Sequence, residues 1–212
     1  MTFGELKTET FRRLEASSSS PVFFTETDIE DALNEGYAEF ADAAEWYEVW
    51  RTIDLAMDRP YYDIRTVFDD ATVLTPGAAF HEDTNRWLIP SSPADLDRAY
   101  VRWEQVSGQP ERVITRGLWW IGYWPITGSE SGTVKQYATA LPDALEDDDE
   151  PGFAEVYHDG IVSYALSILW PQMGEVSKAL EAWQAYVASE AALRAEVQGR
   201  GSVPHVSGYG AS

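Results

Sequence analysis

The spacing of apolar residues changes twice along this chain, and that change constrains the fold more than any other feature. From Phe3 to about Glu45 apolar residues recur every three or four positions, which is typical of helices with one buried face. From Trp46 the spacing becomes two, typical of half-buried strands, and from Phe153 the helical spacing returns. We therefore predict an α+β fold, in which N- and C-terminal helices form an antiparallel bundle and an antiparallel β-sheet region is inserted between them.

This pattern predicts four parts. Residues 1–45 and 152–198 are expected to form the helical bundle, and residues 46–142 the inserted β-rich region. Residues 143–151 are predicted to be an acidic connector. The glycine-rich residues 199–212 are predicted to be a flexible C-terminal tail.

Capping and breaking residues predict where the helices begin and end. The first helix is expected over Phe3–Ala16, before the serine run that leads to Pro21. The second is predicted to start with the capping box Thr27–Glu30. Pro171 and Gly174 are expected to separate a central helix from a last helix over Glu175–Val197.

Within the β-rich region, residues 49–57 are predicted to be a strand whose odd-numbered residues, including Met57, face inward. Thr75-Pro76-Gly77 is predicted to be a turn between strands. Leu96, Tyr100 and Trp103 have the spacing of a brief helix that begins at Ser92-Pro93. Further strands are expected over 112–116, 118–124 and 132–140.

The composition limits the classes of function. The 212 residues contain 36 acidic and 15 basic side chains, a net charge of −21, and only Lys7, Lys135 and Lys178 are lysines. Acidic, lysine-poor surfaces suit salt-loving hosts, because concentrated salt screens carboxylate repulsion. Sequence-specific DNA binding is not expected, since it needs clustered basic residues. There is no cysteine, and neither a signal peptide nor a membrane span is predicted.

The residues that could carry chemistry form no recognised site. His81, His158 and His205 lie far apart in sequence, and His158 is interpreted as a helix-surface or interface residue. The His158-Asp159 pair is not expected to act as a catalytic base and its orienting acid, because neighbouring helical residues point to different faces. The central-helix core is expected to contain Val156, Ile161, Tyr164, Ala165 and Ile168.

Two further patterns have a functional and a structural interpretation. Glu146–Glu150 has neither the alternation nor the glycine of an EF-hand loop, so a solvated linker is predicted, and a loosely held cation stays open. Trp119, Trp120 and Trp124 could line a sugar site, but a core or interface role is favoured. Phosphate-binding and hydrolase motifs are absent. We expect no enzyme activity, catalytic residue, cofactor or metal.

Several stretches together resemble the adaptor family of podoviruses with elongated heads and related tailed viruses. The motifs are Thr2–Leu6, Ala32–Tyr37, Ser107–Pro110 followed by Leu118–Pro125, and Leu141-Pro142 followed by His158–Leu166. They cover about residues 1–200 in the family's order. The acidity and the acidic connector depart from the family pattern.

The resemblance implies a structural virion protein in the neck between head and tail, assembled in the host cytoplasm. It implies a ring of about twelve copies beneath the portal protein, which receives a tail or nozzle protein and surrounds the DNA channel without specific DNA binding or membrane contact. Trp46, Trp50, Arg51 and Tyr62 are candidate interface residues, and the tail after Gly199 is a candidate connecting segment. Another virion scaffold or tail component, or a carbohydrate-active enzyme, remains the alternative.

Overall fold

The fold is α+β, as the sequence predicts. The computed structural model describes residues 1–17, 24–128 and 132–201, with side chains up to Gly199. The chain divides into two compact units, Met1–Trp46 with Pro142–Ser212 (the helical unit) and Tyr47–Leu141 (the β unit). The elements in chain order are α1 (Phe3–Ser17), α2 (Glu26–Ala44), β1 (Glu48–Asp54), β2 (Tyr61–Asp63), α3 (Ile64–Val67), β3 (Val73–His81), β4 (Arg86–Trp87), β5 (Ile89–Ser91), α4 (Pro93–Ala99), β6 (Arg112–Arg116), β7 (Trp120–Trp124), β8 (Thr133–Ala140), α5 (His158–Gln172) and α6 (Val176–Gly201).

The helical unit buries the apolar stripes of its four helices in one core. Leu6, Ile29, Leu33, Phe40 and Ile161 are completely buried. Close packing of the helices depends on Gly160, where a Cβ atom would lie 2.5 Å from Phe40 Cζ and 2.6 Å from Ser189 Oγ. Ser189 Cβ would lie only 2.9 Å away as well, so a larger residue would force the buried Phe40 ring or α6 to shift, and glycine lets α5 approach α2 and α6 this closely.

The start of α2 lies two residues earlier than predicted. Thr25, and not Thr27, is the N-cap: its hydroxyl accepts from the amide of Asp28, and the Asp28 carboxylate accepts from the Thr25 amide. The spacing of the capping box fits both threonines, and aspartate can replace the usual glutamate at its last position. Only the folded chain decides between the two registers.

The bounds of α5 also differ from the prediction. Residues Glu155–Tyr157 form a separate 3₁₀ turn, so Val156 is 76% exposed and does not belong to the core. Pro171 lies inside the last turn of α5, and the break comes at Gly174, whose φ of +82° ends the helix. Residues 199–201, predicted to belong to the tail, are helical because α6 continues to Gly201, and residues 202–212 lie outside the described residues.

The acidic connector is fixed to the helical unit by its backbone. The amide of Phe3 donates to the carbonyl of Asp149 (2.8 Å), and the amide of Gly4 to that of Asp147 (3.0 Å). The Asn34 side chain accepts from the amide of Leu145 at 2.7 Å. Residues 146–150 are exposed, as a solvated linker requires, but these hydrogen bonds also anchor the segment to α1 and α2, which the sequence did not predict.

Lys7 joins the connector to α1 and α2. Its side chain is only 8% exposed, and Nζ donates to Glu26 Oε1 (2.9 Å) and Glu30 Oε1 (2.7 Å) and contacts the Asp147 carboxylate. The hydrogen bonds that Lys7 donates to Asp147, Glu30 and Glu26 raise its pKa, so the ammonium stays charged. One buried cation on α1 thus pairs with carboxylates of both α2 and the connector at the point where the three segments meet.

The β unit contains two four-stranded sheets where the sequence predicted one antiparallel sheet region. The strand orders are β1-β8-β3-β4 (sheet A) and β2-β7-β6-β5 (sheet B), and β5–β6 is a parallel pair. The core residues of the two sheets form one cluster: Ile53, Leu55, Tyr62, Ile64, Phe68, Ala79, Leu88, Val113, Ile121, Tyr123, Val134 and Ala138. A sandwich is a common way to bury two half-apolar sheets.

Gln136 is the polar bridge of this sandwich. It is completely buried; Oε1 accepts from the hydroxyl of Tyr123 at 3.0 Å, and Nε2 lies within 3.2 Å of the carbonyls of Gly77 and Ala78. These carbonyls lie where the β3–β8 register shifts, between Pro76 and Ala79. The predicted Thr75–Gly77 turn is therefore wrong: this segment is a bulge within β3, where a strand tolerates proline.

Two other predictions in the β unit need correction. Met57 lies beyond the end of β1 and is 63% exposed, so it does not share the buried face of Ile53 and Leu55. The brief helix ends at Ala99, and Trp103 lies in a separate 3₁₀ turn that follows Arg102, whose φ is 56°. Periodicity alone could not show this break.

Replacement of Lys7 by methionine is expected to destabilise the protein by about 2 kcal/mol, because three carboxylates lose a buried cation that they share. Chemical denaturation in dilute and in concentrated salt measures the effect, which should shrink as salt screens the carboxylates. The matched control is Lys178→Met, which removes a partly exposed i,i+3 pair with Glu175 and should cost less than about 0.5 kcal/mol. Equal losses for the two variants would contradict this role of Lys7.

Replacement of Gln136 by leucine is expected to lower the free energy of unfolding by about 2–4 kcal/mol, since the Tyr123 hydroxyl and the bulge carbonyls lose their partner. Burial raises the pKa of Tyr123 well above its ordinary value, so this hydroxyl stays a donor. Denaturant titration measures the loss, with the exposed Gln109→Leu as control. A Gln136→Leu protein as stable as the unchanged chain would rule out the bridge.

Candidate assembly surfaces

Two of the three histidines, His81 and His158, are buried among structural contacts. The prediction that His158 lies on a helix surface is therefore wrong. His158 is 2% exposed; Nε2 lies 3.0 Å from the Phe153 carbonyl and Nδ1 3.3 Å from the Met1 amine. Asp159 points away and pairs with Arg13. His81 is also 2% exposed, with Nδ1 2.9 Å from Thr84 Oγ1, and burial lowers its pKa. His205 lies outside the described residues.

The acidic connector does not have the geometry of a cation site. Asp147 contacts Lys7, and Asp149 accepts from the backbone amide of Glu146 at 2.8 Å. Within the described ranges, no group of three or more His, Asp or Glu side chains could hold a metal ion.

No helix in the described part of the chain is long and apolar enough to cross a membrane.

The three tryptophans considered for a sugar site do not form one surface. Trp124 is 4% exposed, and its Nε1 donates to the carbonyl of Trp103 at 2.9 Å within a small core cluster. Trp119 and Trp120 are 41% and 45% exposed. The favoured interpretation was a core or interface role. Trp124 is a core residue, while Trp119 and Trp120 are exposed and belong to a surface.

That surface is the tip of the β6–β7 hairpin, residues 116–120, and we call it the hairpin tip. Arg116 pairs with Trp120 across the strands, and Gly117 has a φ of +63°, which favours glycine in so short a loop. Leu118 is 77% exposed. The guanidinium of Arg65 lies 5.3 Å from the Trp119 ring and is paired with Asp63 at 2.6 Å, so the cation that the tip offers beside its apolar area is Arg116.

A second apolar surface, which was not among the predicted interface residues, runs along α6. Val176, Leu180, Trp183 and Val187 (the α6 stripe) are between 40% and 68% exposed and follow one another at steps of four, three and four. The adjacent stripe of α6, which includes Ala182, Tyr186 and Leu193, is buried in the bundle. The helix therefore has two apolar stripes, and the bundle covers one of them.

An acidic row borders the α6 stripe. It consists of Glu35, Glu39 and Asp42, which lie on the exposed side of α2. The ring of Tyr164 lies 6.4 Å from that of Trp183, and its hydroxyl donates to Glu35 Oε1 at 2.9 Å. Tyr164 therefore lies between Glu35 of the acidic row and Trp183 of the α6 stripe.

The acidic row perturbs its neighbours. Partial burial, Asp42 and Glu35 raise the pKa of Glu39. Burial first, then the charges of Glu190 and Glu39, raise the pKa of Tyr186 to about 12. Burial is the larger cause of both shifts, and the carboxylates of the row add to it in each case, while Arg194 opposes the rise for Tyr186.

A third surface is the outer face of sheet A, where aromatic side chains line up across the strands. Trp50 and Tyr137 form one cross-strand pair, and Phe80 and Trp87 another. The Lys135 Nζ lies 3.5 Å from the centroid of the Trp50 ring, so the aromatic surface already covers the cation that lies beside it.

The predicted interface residues divide between surface and core. Trp50 is 48% exposed, as an interface role requires. Tyr62 is only 5% exposed, so the prediction is wrong for it, whereas Trp46 is partly buried against the helical core and its interface role stays a prediction. Arg51 is half-buried and pairs with Asp70. The four-three-four spacing of the α6 stripe was the signal in the sequence that could have found that surface.

Comparison with known proteins places the chain in a family. A search of the curated proteins found no match. The family model described as SU10 adaptor protein matches residues 1–208, which is nearly the whole chain. The chain therefore belongs to the SU10 adaptor protein family, a family of phage head–tail adaptors.

Proposed function

We propose that this adaptor is a non-enzymatic subunit of a ring that lies beneath the portal, joins the capsid to a tail or nozzle protein, and surrounds the DNA channel. The ring contains about twelve copies, as the family resemblance implies. It lies in the virion neck and assembles in the host cytoplasm. The match to the adaptor family over residues 1–208 carries the proposal.

The exposed surfaces suit a ring. A ring of identical subunits needs two unlike faces on each copy, so that one face of a subunit meets the other face of the next. The hairpin tip and the α6 stripe are two such faces, and they differ in shape and charge. The aromatic outer face of sheet A adds a third apolar area. Monomeric proteins seldom expose several such areas.

The charge distribution suits a DNA channel without specific binding. The helical unit has 23 acidic and 6 basic residues, and the β unit 13 and 9. An acidic wall repels phosphates, so DNA passes through the lumen without adhering. The same acidity and the scarcity of lysine support a salt-loving host.

Assembly on the portal tests this function. The purified chain is mixed with the portal protein encoded by the same genome, and the complex is imaged. We expect a closed ring on one side of the portal, and particles that lack this chain should contain DNA but no tail. Tailed particles formed without the chain would contradict the function and favour another virion scaffold or tail component.

Salt dependence tests the host assignment separately. Reducing salt from about 1 M to about 0.05 M lengthens the screening distance from about 3 Å to more than about 10 Å, so acidic residues one helix turn apart begin to repel. We expect the melting temperature to fall by about 5 °C or more. Hydrogen exchange should show that the helical unit loses protection first, because it carries most of the negative charge. A melting temperature that is unchanged or higher in dilute buffer would contradict a salt-loving host.

A further inference from the structure

We propose that the hairpin tip of one subunit docks on the α6 stripe and acidic row of a second copy of this chain. The contact would be the subunit–subunit interface of the ring, so the inference rests on the proposed function and assigns its contact residues. The occupant of the α6 stripe is thus the β unit of a neighbouring subunit.

The apolar parts of the two surfaces match in kind. The hairpin tip presents Leu118, Trp119 and Trp120, all at least 41% exposed. The α6 stripe presents a ridge of aliphatic side chains around Trp183, whose ring lies 5.2 Å from that of Tyr186. Tryptophan and arginine are the residues most enriched at energetically important interface positions. Docking of the hairpin tip on the α6 stripe would remove the apolar side chains of both surfaces from water.

The charged parts are complementary. Beside its apolar residues the hairpin tip has Arg116, whose guanidinium lies 5.4 Å from the Tyr61 ring. Beside the α6 stripe lies the acidic row, including Glu39. In the described part of the chain, neither Arg116 nor Glu39 forms an ion pair. Docking would bring this cation to these carboxylates, which sets the orientation of the contact.

The aromatic face of sheet A is a poorer match for the acidic row. Its Lys135 is already covered by Trp50, and Glu48 and Asp54 stand on the exposed side of β1 next to it. A contact there would bring carboxylates close to carboxylates. At the hairpin tip the carboxylate of Asp63, opposite Trp120, is already paired with Arg65, and Arg116 adds a cation at the edge, so the repulsion is smaller there.

A charge exchange between two variants tests the contact. Arg116→Glu alone and Glu39→Arg alone should each self-associate much more weakly than the unchanged full-length chain, because each places like charges together. An equimolar mixture should recover association, since the acidic tip of the first variant then meets the basic substitution in the row of the second. The unaltered tip of the second variant likewise meets the unaltered row of the first. Sedimentation at matched concentrations measures this, and a mixture no stronger than the single variants would overturn the pairing.

The apolar contact is tested by truncation. Trp119→Ala should weaken self-association by at least about 30-fold, the loss typical of a tryptophan at the centre of an interface. Tyr100→Ala is the matched control, since Tyr100 is similarly exposed, at 40%, elsewhere in the β unit. Both variants are first shown to be folded by their unfolding transitions. Equal effects of the two would overturn the role of the hairpin tip.

Disulfide trapping tests proximity directly, because the chain contains no cysteine. A Leu118→Cys chain mixed with a Val187→Cys chain should form a cross-linked pair on mild oxidation. A Val101→Cys chain mixed with the same partner is the control; Val101 is 93% exposed in the same unit as Leu118. Cross-linking no greater than the control would overturn the proposal.

These experiments distinguish a failure of the proposed interface from a failure of the proposed function. If the unchanged chain forms rings on the portal but the cysteines do not cross-link, the ring stands and this interface is wrong. If the cysteines cross-link but rings never form on the portal, the self-contact stands and the neck function is wrong. A cysteine introduced within residues 202–212 is tested against Val187→Cys in the same way, and cross-linking there but not with Leu118→Cys would overturn the proposal and assign the α6 stripe to the C-terminal segment.

Discussion

The helical unit depends on one buried cation. Its two chain segments are separated in sequence by the whole β unit, and they meet where α1, α2 and the acidic connector converge on Lys7. Backbone hydrogen bonds from Phe3 and Gly4 to the connector close the same junction. In a unit with 23 acidic and 6 basic residues, a shared ammonium at the junction offsets the repulsion among Glu26, Glu30 and Asp147.

Tight packing inside the helical unit explains why an apolar stripe remains outside it. Gly160 allows close approach of α5 to its neighbours, so the unit buries the Ala182, Tyr186 and Leu193 side of α6. The stripe that includes Trp183 is left largely uncovered by the described helices of the bundle. In the β unit the sandwich core likewise leaves the hairpin tip in solvent. Each unit satisfies its own core and keeps apolar surface for assembly, as expected of a subunit that functions only in contact with others.

Much of the fold could be predicted from the sequence, because periodicity reports burial directly. The change of period near Trp46 and its return after Phe153 predicted the α+β class, and β6 occurs over the predicted residues. Several of the wrong predictions concern segments whose local sequence fits two structures equally well. Thr25 and Thr27 both begin a capping box, and Pro76 can mark either a turn or a bulge. The candidate surfaces were only partly predicted: Trp50 and Trp119 are exposed, whereas Tyr62 is core.

The sequence by itself determined the secondary-structure class, the negative charge, the lack of cysteine and the family, since these follow from residue identity and order. The tertiary structure alone decided which apolar residues stay in contact with water. The α6 stripe and the buried stripe beside it have the same helical periodicity, and only the positions of α2 and α5 determine which one the bundle covers. The same holds for His158, whose burial depends on the distant Met1 and on Phe153. Burial is a property of neighbours brought together by folding, and local sequence does not specify those neighbours.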